Sequence, residues 1–149
     1  MNRSERAVQA FVGGYNCSQA VTLAFCDLMG LEESTAARLS GPFGGGMGRM
    51  REVCGAVSGM LLVLGSLYGI DEPGNDPAKQ ALYAQVQELA GAFRAEIGSI
   101  LCRDILDNPP SDPKPTPRTA EFYKERPCAL VVATAARLME EFIAAHPLT

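Results

Sequence analysis

The stretch Val53-Cys54-Gly55-Ala56-Val57-Ser58-Gly59-Met60-Leu61-Leu62-Val63-Leu64-Gly65-Ser66-Leu67-Tyr68-Gly69-Ile70 decides what kind of fold this chain can make. It carries no charge, and its length reaches the lower limit of about 18 residues for a membrane span. Four glycines and two serines interrupt it, however, and the segments on either side are amphipathic and need something apolar to cover. The stretch therefore reads as a buried central helix, and no membrane partner is expected.

Working outward, Leu82, Val86, Leu89, Phe93 and Ile97 recur every three or four residues behind Asp76-Pro77, an N-cap followed by proline at the first helical position. Val131, Ala135, Leu138 and Phe142 repeat the pattern between Pro127 and His146-Pro147. On the N-terminal side, Asn16-x-x-Gln19 is a capping box for one helix through Val21, Ala24 and Leu28, closed by Gly30. Shorter helices are expected over 4–12, 32–39 and 99–106. No segment alternates with a two-residue period between turn pairs. The expected architecture is an all-α, single-domain helical bundle over residues 1–149, built around the glycine-rich central helix. The prolines at 109, 110, 113, 115 and 117 turn 107–118 into a surface loop of extended geometry.

Composition narrows the function classes. A chain of 149 residues, 47% of them hydrophobic, buries enough surface to fold without disulfides or a structural metal. With 13 basic against 17 acidic residues, there is no net pull toward nucleic acid or anionic membranes. The first residues, Met1-Asn2-Arg3-Ser4-Glu5-Arg6, run into mixed charge and develop no secretion signal, so a cytoplasmic location is expected. Stable disulfides are uncommon there, and functional cysteines tend to be catalytic, redox-sensing or metal-bound. The single histidine, His146, stands at the end of the last helix and is given no catalytic role, which excludes serine–histidine triads in the interior.

The five cysteines fall unevenly on this helix map. Cys17 follows the cap Asn16, Cys128 follows Pro127, Cys102 sits three after Ser99, and Cys54 opens the central helix. A helix start offers unpaired N–H groups and positive partial charge, which favour thiolate over thiol. Cys26 is placed on the opposite side of the Cys17 helix, as packing or surface. No Cys-x-x-Cys pair announces zinc or a thioredoxin-type centre, so a shared site must be assembled by tertiary folding. Buried cysteines that merely fill the core are the competing account.

Together, Tyr15-Asn16-Cys17-Ser18-Gln19-Ala20, Phe43-Gly44-Gly45-Gly46-Met47-Gly48-Arg49 leading to Cys54-Gly55-Ala56-Val57-Ser58-Gly59, Gly98-Ser99-Ile100-Leu101-Cys102-Arg103, and Cys128 at the last helix resemble the C-GCAxxG-C-C family, named for its cysteines and described as redox-active. The resemblance runs nearly the full length. It implies an all-helical redox protein and assigns the motif cysteines to Cys17, Cys54, Cys102 and Cys128. The family name writes Gly-Cys-Ala where this chain has Cys54-Gly55-Ala56, an exchange that moves the thiol about 100° around the helix. Gly55 and Gly59, four apart on one face, are expected to let a neighbouring backbone approach.

The run Gly44–Gly48 lacks the ending of a phosphate loop and follows no strand, so it reads as a tight turn. Arg49 and Arg51 behind it are the candidates for favouring the Cys54 thiolate or binding an anion beside it, with solvated surface as the alternative. Asp104 and Arg103 could assist proton transfer at Cys102. The leading expectation is thiol–disulfide or electron-transfer chemistry at the four cysteines, with an unidentified redox partner or small-molecule substrate and an unidentified cofactor or none. The alternative is a metal centre, zinc or an iron–sulfur cluster, with Cys17, Cys54, Cys102 and Cys128 as ligands. A helical interaction module with inert cysteines is the third reading. A homodimer is the commonest oligomer for such a chain.

Overall fold

The structure, a computed structural model, describes residues 1–148. The fold is all-α: α1 (Arg3–Val12), α2 (Cys17–Leu23), α3 (Cys26–Met29), α4 (Glu33–Ser40), α5 (Gly44–Met47), α6 (Gly55–Tyr68), α7 (Asp76–Ile97), α8 (Cys102–Ile105), α9 (Ala120–Glu125) and α10 (Cys128–Ala145). No strand occurs among the described residues, and a single antiparallel bridge joins Val53 to Leu101. The uncharged stretch is α6, which packs against α2, α3, α5, α7 and α10. Val57, Met60, Val63 and Leu64 of α6 join Val21, Phe25, Phe93, Val132 and Met139 in one apolar cluster. Among the described residues no helix is long and apolar enough to cross a membrane.

The glycines of α6 set how closely α2 lies. A Cβ on Gly59 would stand 2.7 Å from the Ser18 carbonyl oxygen, and one on Gly55 would stand 2.5 Å from Cys17 Sγ. Both are close-approach positions, so the start of α2 rests directly on the start of α6. The capping box holds that start in place: Gln19 N donates to Asn16 Oδ1 and Asn16 N donates to Gln19 Oε1. The same two side chains reach the end of α4 region, Asn16 Nδ2 donating to Gly41 O and Gln19 Nε2 to Ala37 O.

Three boundaries differ from expectation. The helix through Val21, Ala24 and Leu28 is broken at Phe25, whose backbone (φ −124°, ψ 5°) leaves the helical region. Phe25 is fully buried and Leu28 is exposed, so the break exchanges one apolar residue for another at the core. Arg3 Nη1 donates to the carbonyl of Ala24 at 2.8 Å, and its guanidinium lies 5.3 Å from the Phe25 ring centroid. The long helix α7 is capped by Asn75, whose Oδ1 accepts from Ala78 N, one residue before the expected cap Asp76. Of the helix expected over 99–106 only Cys102–Ile105 forms, because Ile100 and Leu101 are extended alongside Glu52–Cys54. The segment at 120–125, capped by Thr119, was not expected as a helix.

Candidate functional site

The bridge between Val53 and Leu101 brings two of the distant cysteines side by side. Cys54 N donates to Ile100 O at 2.7 Å, and Cys102 N donates to Glu52 O at 2.7 Å. Each cysteine then begins or caps a helix: Cys54 is the N-cap of α6, and Cys102 the first residue of α8. Cys17 and Cys128 are the first residues of α2 and α10. All four line one cavity of about 220 Å³. All are free thiols. Cys26 does not line it, although it too is the first residue of a helix, α3. A position in a first turn therefore does not distinguish the four from the fifth, whereas convergence on the cavity does.

The rest of the lining is apolar or basic. Phe11, Ile105, Leu106, Phe122 and Val131 supply walls, and Arg49, Arg51, Arg118 and Arg126 supply charge, with no Asp or Glu among the lining residues. Arg51 is 4% exposed. Its Nη1 lies 3.5 Å from Cys102 Sγ, its Nε donates to Pro110 O at 2.9 Å, and its Nη2 is buried without a hydrogen-bond partner. The guanidinium thus stands on Cys102, and not on Cys54, the sulfur for which the sequence had suggested it. Arg49 donates from Nε to Asp112 O and from Nη1 to Thr116 Oγ1, both at 2.8 Å. Burial and the neighbouring Arg51 push the Arg49 guanidinium below its ordinary value.

Through these bonds the proline-rich segment 107–118, exposed on its outer side, becomes the roof of the cavity, with Pro115 and Thr116 facing in. Arg118 fastens its far end: Nη2 donates to Tyr15 O at 2.9 Å and Nη1 to Phe11 O at 3.1 Å, with the guanidinium stacked 4.5 Å from the Phe11 centroid. The roof was legible as a loop, but its arginine anchors were not. Arg103 and Asp104 stay outside and exposed: Arg103 pairs with the exposed Glu52 at 3.1 Å, and Asp104 accepts from Ser99 Oγ. Neither lines the cavity. His146 stacks on Phe142 at the far end of α10.

The turn Gly44–Gly48 is built for close approach. Gly45, Gly46 and Gly48 have positive φ, and so do Met47, Arg49 and Arg51. Gly44 leaves room for Asn16, since a Cβ there would stand 2.2 Å from Asn16 Nδ2. The exchanged order Cys54-Gly55 has a matching consequence. Gly55 is the position against which Cys17 Sγ packs, so a side chain there would collide with it, while Cys54 one residue earlier still lines the cavity.

The expectation that helix starts would ionise the thiols is overturned at Cys17, Cys54 and Cys128. Burial pushes Cys17, Cys54 and Cys128 upward, Cys128 to about 12, and the amide contacts at Cys17 and Cys54 offset only part of it. Desolvation of a charged sulfur outweighs the dipole of one helix turn. Negative charge on Cys17 is the largest charge effect opposing ionisation of both Cys54 and Cys128, and Cys17 in turn is opposed by Cys102.

A pH effect on stability follows. Unfolded thiols ionise near pH 8.5, so across the window from there to about pH 12 the unfolded chain has released protons that the native thiols keep. The stabilisation is complete below that window and is lost as pH rises through it, by an amount on the order of 1 kcal/mol per pH unit for each such thiol. Under a phosphine reductant, Tm of the protein is expected to fall faster between pH 9 and 11 than Tm of Cys128→Ala. Parallel curves would show that Cys128 is not held neutral.

The metal-centre alternative does not fit this arrangement. Among the described residues no group of three or more His, Cys, Asp or Glu side chains is disposed to hold a metal ion. A zinc or iron–sulfur site needs its thiolates brought to one centre, with zinc–sulfur bonds of about 2.3 Å. The ligand set of Cys17, Cys54, Cys102 and Cys128 is not assembled in that way.

No curated protein and no solved structure is similar enough to this chain to match it. One family model does match, over residues 15–142, and it carries the description "Putative redox-active protein (C_GCAxxG_C_C)". That span includes all four cavity cysteines and most of the chain, so the chain belongs to the C-GCAxxG-C-C family.

Proposed function

We propose that the protein carries out thiol–disulfide exchange, with Cys102 as the attacking sulfur and Cys17 as the resolving one. The observation that carries this reading is the Arg51 guanidinium on Cys102 Sγ, inside a cavity that also holds the other three thiols. A fixed cation beside sulfur stabilises the negative charge that exchange requires. The remaining cavity thiols are held neutral by burial, which suits groups that act only after a mixed disulfide has formed.

In the first step the Cys102 sulfur attacks one sulfur of a substrate disulfide, and the other leaves with the electron pair of the broken S–S bond. Cys17 then gives up its proton to the departing thiolate and attacks the mixed disulfide, releasing the second substrate thiol. Two protein thiols are oxidised to one disulfide, and one substrate disulfide is reduced to two thiols. Cys54 and Cys128, both most affected by charge on Cys17, are the thiols to which that disulfide can be passed by internal exchange. A cytoplasmic setting, where thiol reductants are abundant, would return the protein to its reduced form.

Mild oxidation with diamide, thiol counting and peptide mapping test the reading. Of five free thiols, two are expected to disappear, in a Cys17–Cys102 disulfide that reductant reverses, with Cys26 left free. Five unreactive thiols would leave the interaction module with inert cysteines.

A further inference from the structure

We infer that the cavity selects small disulfides that carry a carboxylate, received by Arg51 beside the sulfur it presents; this rests on the thiol-exchange reading. The central observation is the unpartnered Nη2 of Arg51. Arg51 is buried, 4% exposed, and two of its three guanidinium nitrogens are engaged, Nε by Pro110 O and Nη1 by Cys102 Sγ. Nη2 has no partner. A buried donor left unsatisfied is costly, and a guanidinium recovers most by donating to an anionic oxygen.

Nothing else in the cavity neutralises that charge. Four arginines line it and no acidic side chain does. Arg49 meets one carboxylate oxygen, Asp112 Oδ2, at 4.0 Å, and Arg51 forms no ion pair among the described residues. Arg118 is spent on carbonyl oxygens and aromatic faces. Apart from the Cys102 sulfur, the Arg51 guanidinium has no anionic partner among the described residues, and its Nη2 has no partner at all.

Size and wall chemistry narrow the ligand. At about 220 Å³ the cavity is below the roughly 300–1,000 Å³ of sites for drug-sized ligands, so a dinucleotide cofactor is too large. Phe11, Phe122, Ile105 and Leu106 would strip water from an inorganic oxyanion without replacing its hydrogen bonds. They suit methylene and sulfur, which pack well against aromatic rings. One free guanidinium nitrogen matches a single carboxylate better than a phosphate dianion. Because Nη1 and Nη2 belong to the same planar group, a carboxylate on Nη2 places its neighbouring carbon and sulfur next to Cys102 Sγ.

The step balances as ordinary exchange. Cys102 sulfur forms a bond to the substrate sulfur nearer the bound carboxylate, the substrate S–S bond breaks, and the leaving thiolate takes a proton from Cys17. Cys17 sulfur then displaces the bound half, which leaves as a second carboxylate-bearing thiol.

Three small disulfides of similar body and different charge test this: dithiodiglycolate (anionic), 2-hydroxyethyl disulfide (neutral) and cystamine (cationic). Their rates with the reduced Cys26→Ala protein are divided by their rates with a free model thiol at the same pH. The ratio is expected to be at least about tenfold higher for dithiodiglycolate than for 2-hydroxyethyl disulfide, the gain expected of one charge-assisted hydrogen bond, and lowest for cystamine. Dithiodiglycolate alone should show saturation. Arg51→Gln is expected to flatten the series and Arg51→Lys to keep part of it, each checked for retained helicity by circular dichroism.

A flat series with the unaltered Arg51 would overturn the inference while leaving exchange standing, and would mean that water alone satisfies Nη2. Failure of all three disulfides to oxidise the protein would instead remove the exchange reading itself. A preference that survives Arg51→Gln would move the anion site to another arginine and overturn the assignment.

Discussion

Cys102→Ser, made in a Cys26→Ala background, is expected to exchange with 2-hydroxyethyl disulfide about a hundredfold more slowly than a free model thiol at neutral pH. The variant keeps Cys17, Cys54 and Cys128, all pushed upward by burial, Cys128 to about 12. Cys128, at about 12, is ionised roughly three thousand times less than a thiol near 8.5. Its stronger intrinsic nucleophilicity, with a Brønsted slope of about 0.4–0.5, returns a factor of roughly forty. The remaining loss is the expected effect, and the variant's rate should climb about tenfold per pH unit up to pH 10 as those thiols ionise. Cys17→Ser should behave differently: Cys102 still attacks, and the mixed disulfide accumulates for want of its resolving thiol. Intact mass would show the adduct on the Cys102 peptide. A Cys102→Ser protein as fast as its parent would place the attack on another sulfur.

The reason this prediction could not be written from the sequence is the location of the charge. Helix starts and the family resemblance pointed to Cys17, Cys54, Cys102 and Cys128, and the structure brings all four to one cavity. The rule used to find them was nevertheless incomplete, since Cys26 also opens a helix and stays outside. What brings Cys54 and Cys102 together is a pair of extended segments, 52–54 and 100–102, held by hydrogen bonds between residues far apart in the chain. No local pattern encodes that pairing. Arg51 carried a signal of another kind: it follows a glycine-rich run, but its burial depends on the roof residue Pro110 and on Cys102. Sequence reasoning had weighed it against solvated surface because burial of an arginine is a tertiary fact.

The helices themselves were more legible, because their signals are local. The capping box at Asn16 and Gln19, the proline before Cys128, and the apolar faces of α7 and α10 all lie within a few turns of the structure they specify. The break at Phe25 was not legible for the opposite reason. Val21, Ala24 and Leu28 keep a helical period through it, and only the Arg3 guanidinium, received by the freed Ala24 carbonyl and the Asp27 carboxylate, makes a short second helix acceptable. Helix propensity was overridden by one long-range side chain. Similarly, Ser99 looked like a helix start, yet its hydroxyl accepts from Leu101 N and supports an extended turn into the bridge.

Gly46→Ala is the substitution expected to cost most in stability, because it strikes the point where the glycine turn, Arg51 and Cys102 meet. Gly46 has φ +73°, and a Cβ would stand 2.7 Å from Cys102 Cβ, 2.8 Å from Glu52 N and 2.9 Å from Arg51 Cα. Left-handed backbone alone costs a residue with a side chain about 1–2 kcal/mol. Met47, Arg49 and Arg51 bear that cost nearby, so φ is not what forbids alanine. The contacts are, since two of the three nearest atoms are backbone atoms that cannot swing aside. Overpacking of that kind adds about 1–3 kcal/mol. Together the loss is about 2–5 kcal/mol, against a total stability of roughly 5–15 kcal/mol for a protein of ordinary stability. Gly65→Ala is the matched control: it lies in α6, exposed, with nothing within 4 Å of its added Cβ, and should stabilise by about 0.4–1 kcal/mol. Urea unfolding under reductant would read both, the midpoint falling for the first and rising for the second. If Gly46→Ala unfolded at the same urea concentration as its parent, the turn would be free to move away from Cys102, and Arg51 would not be fixed upon that sulfur as exchange requires.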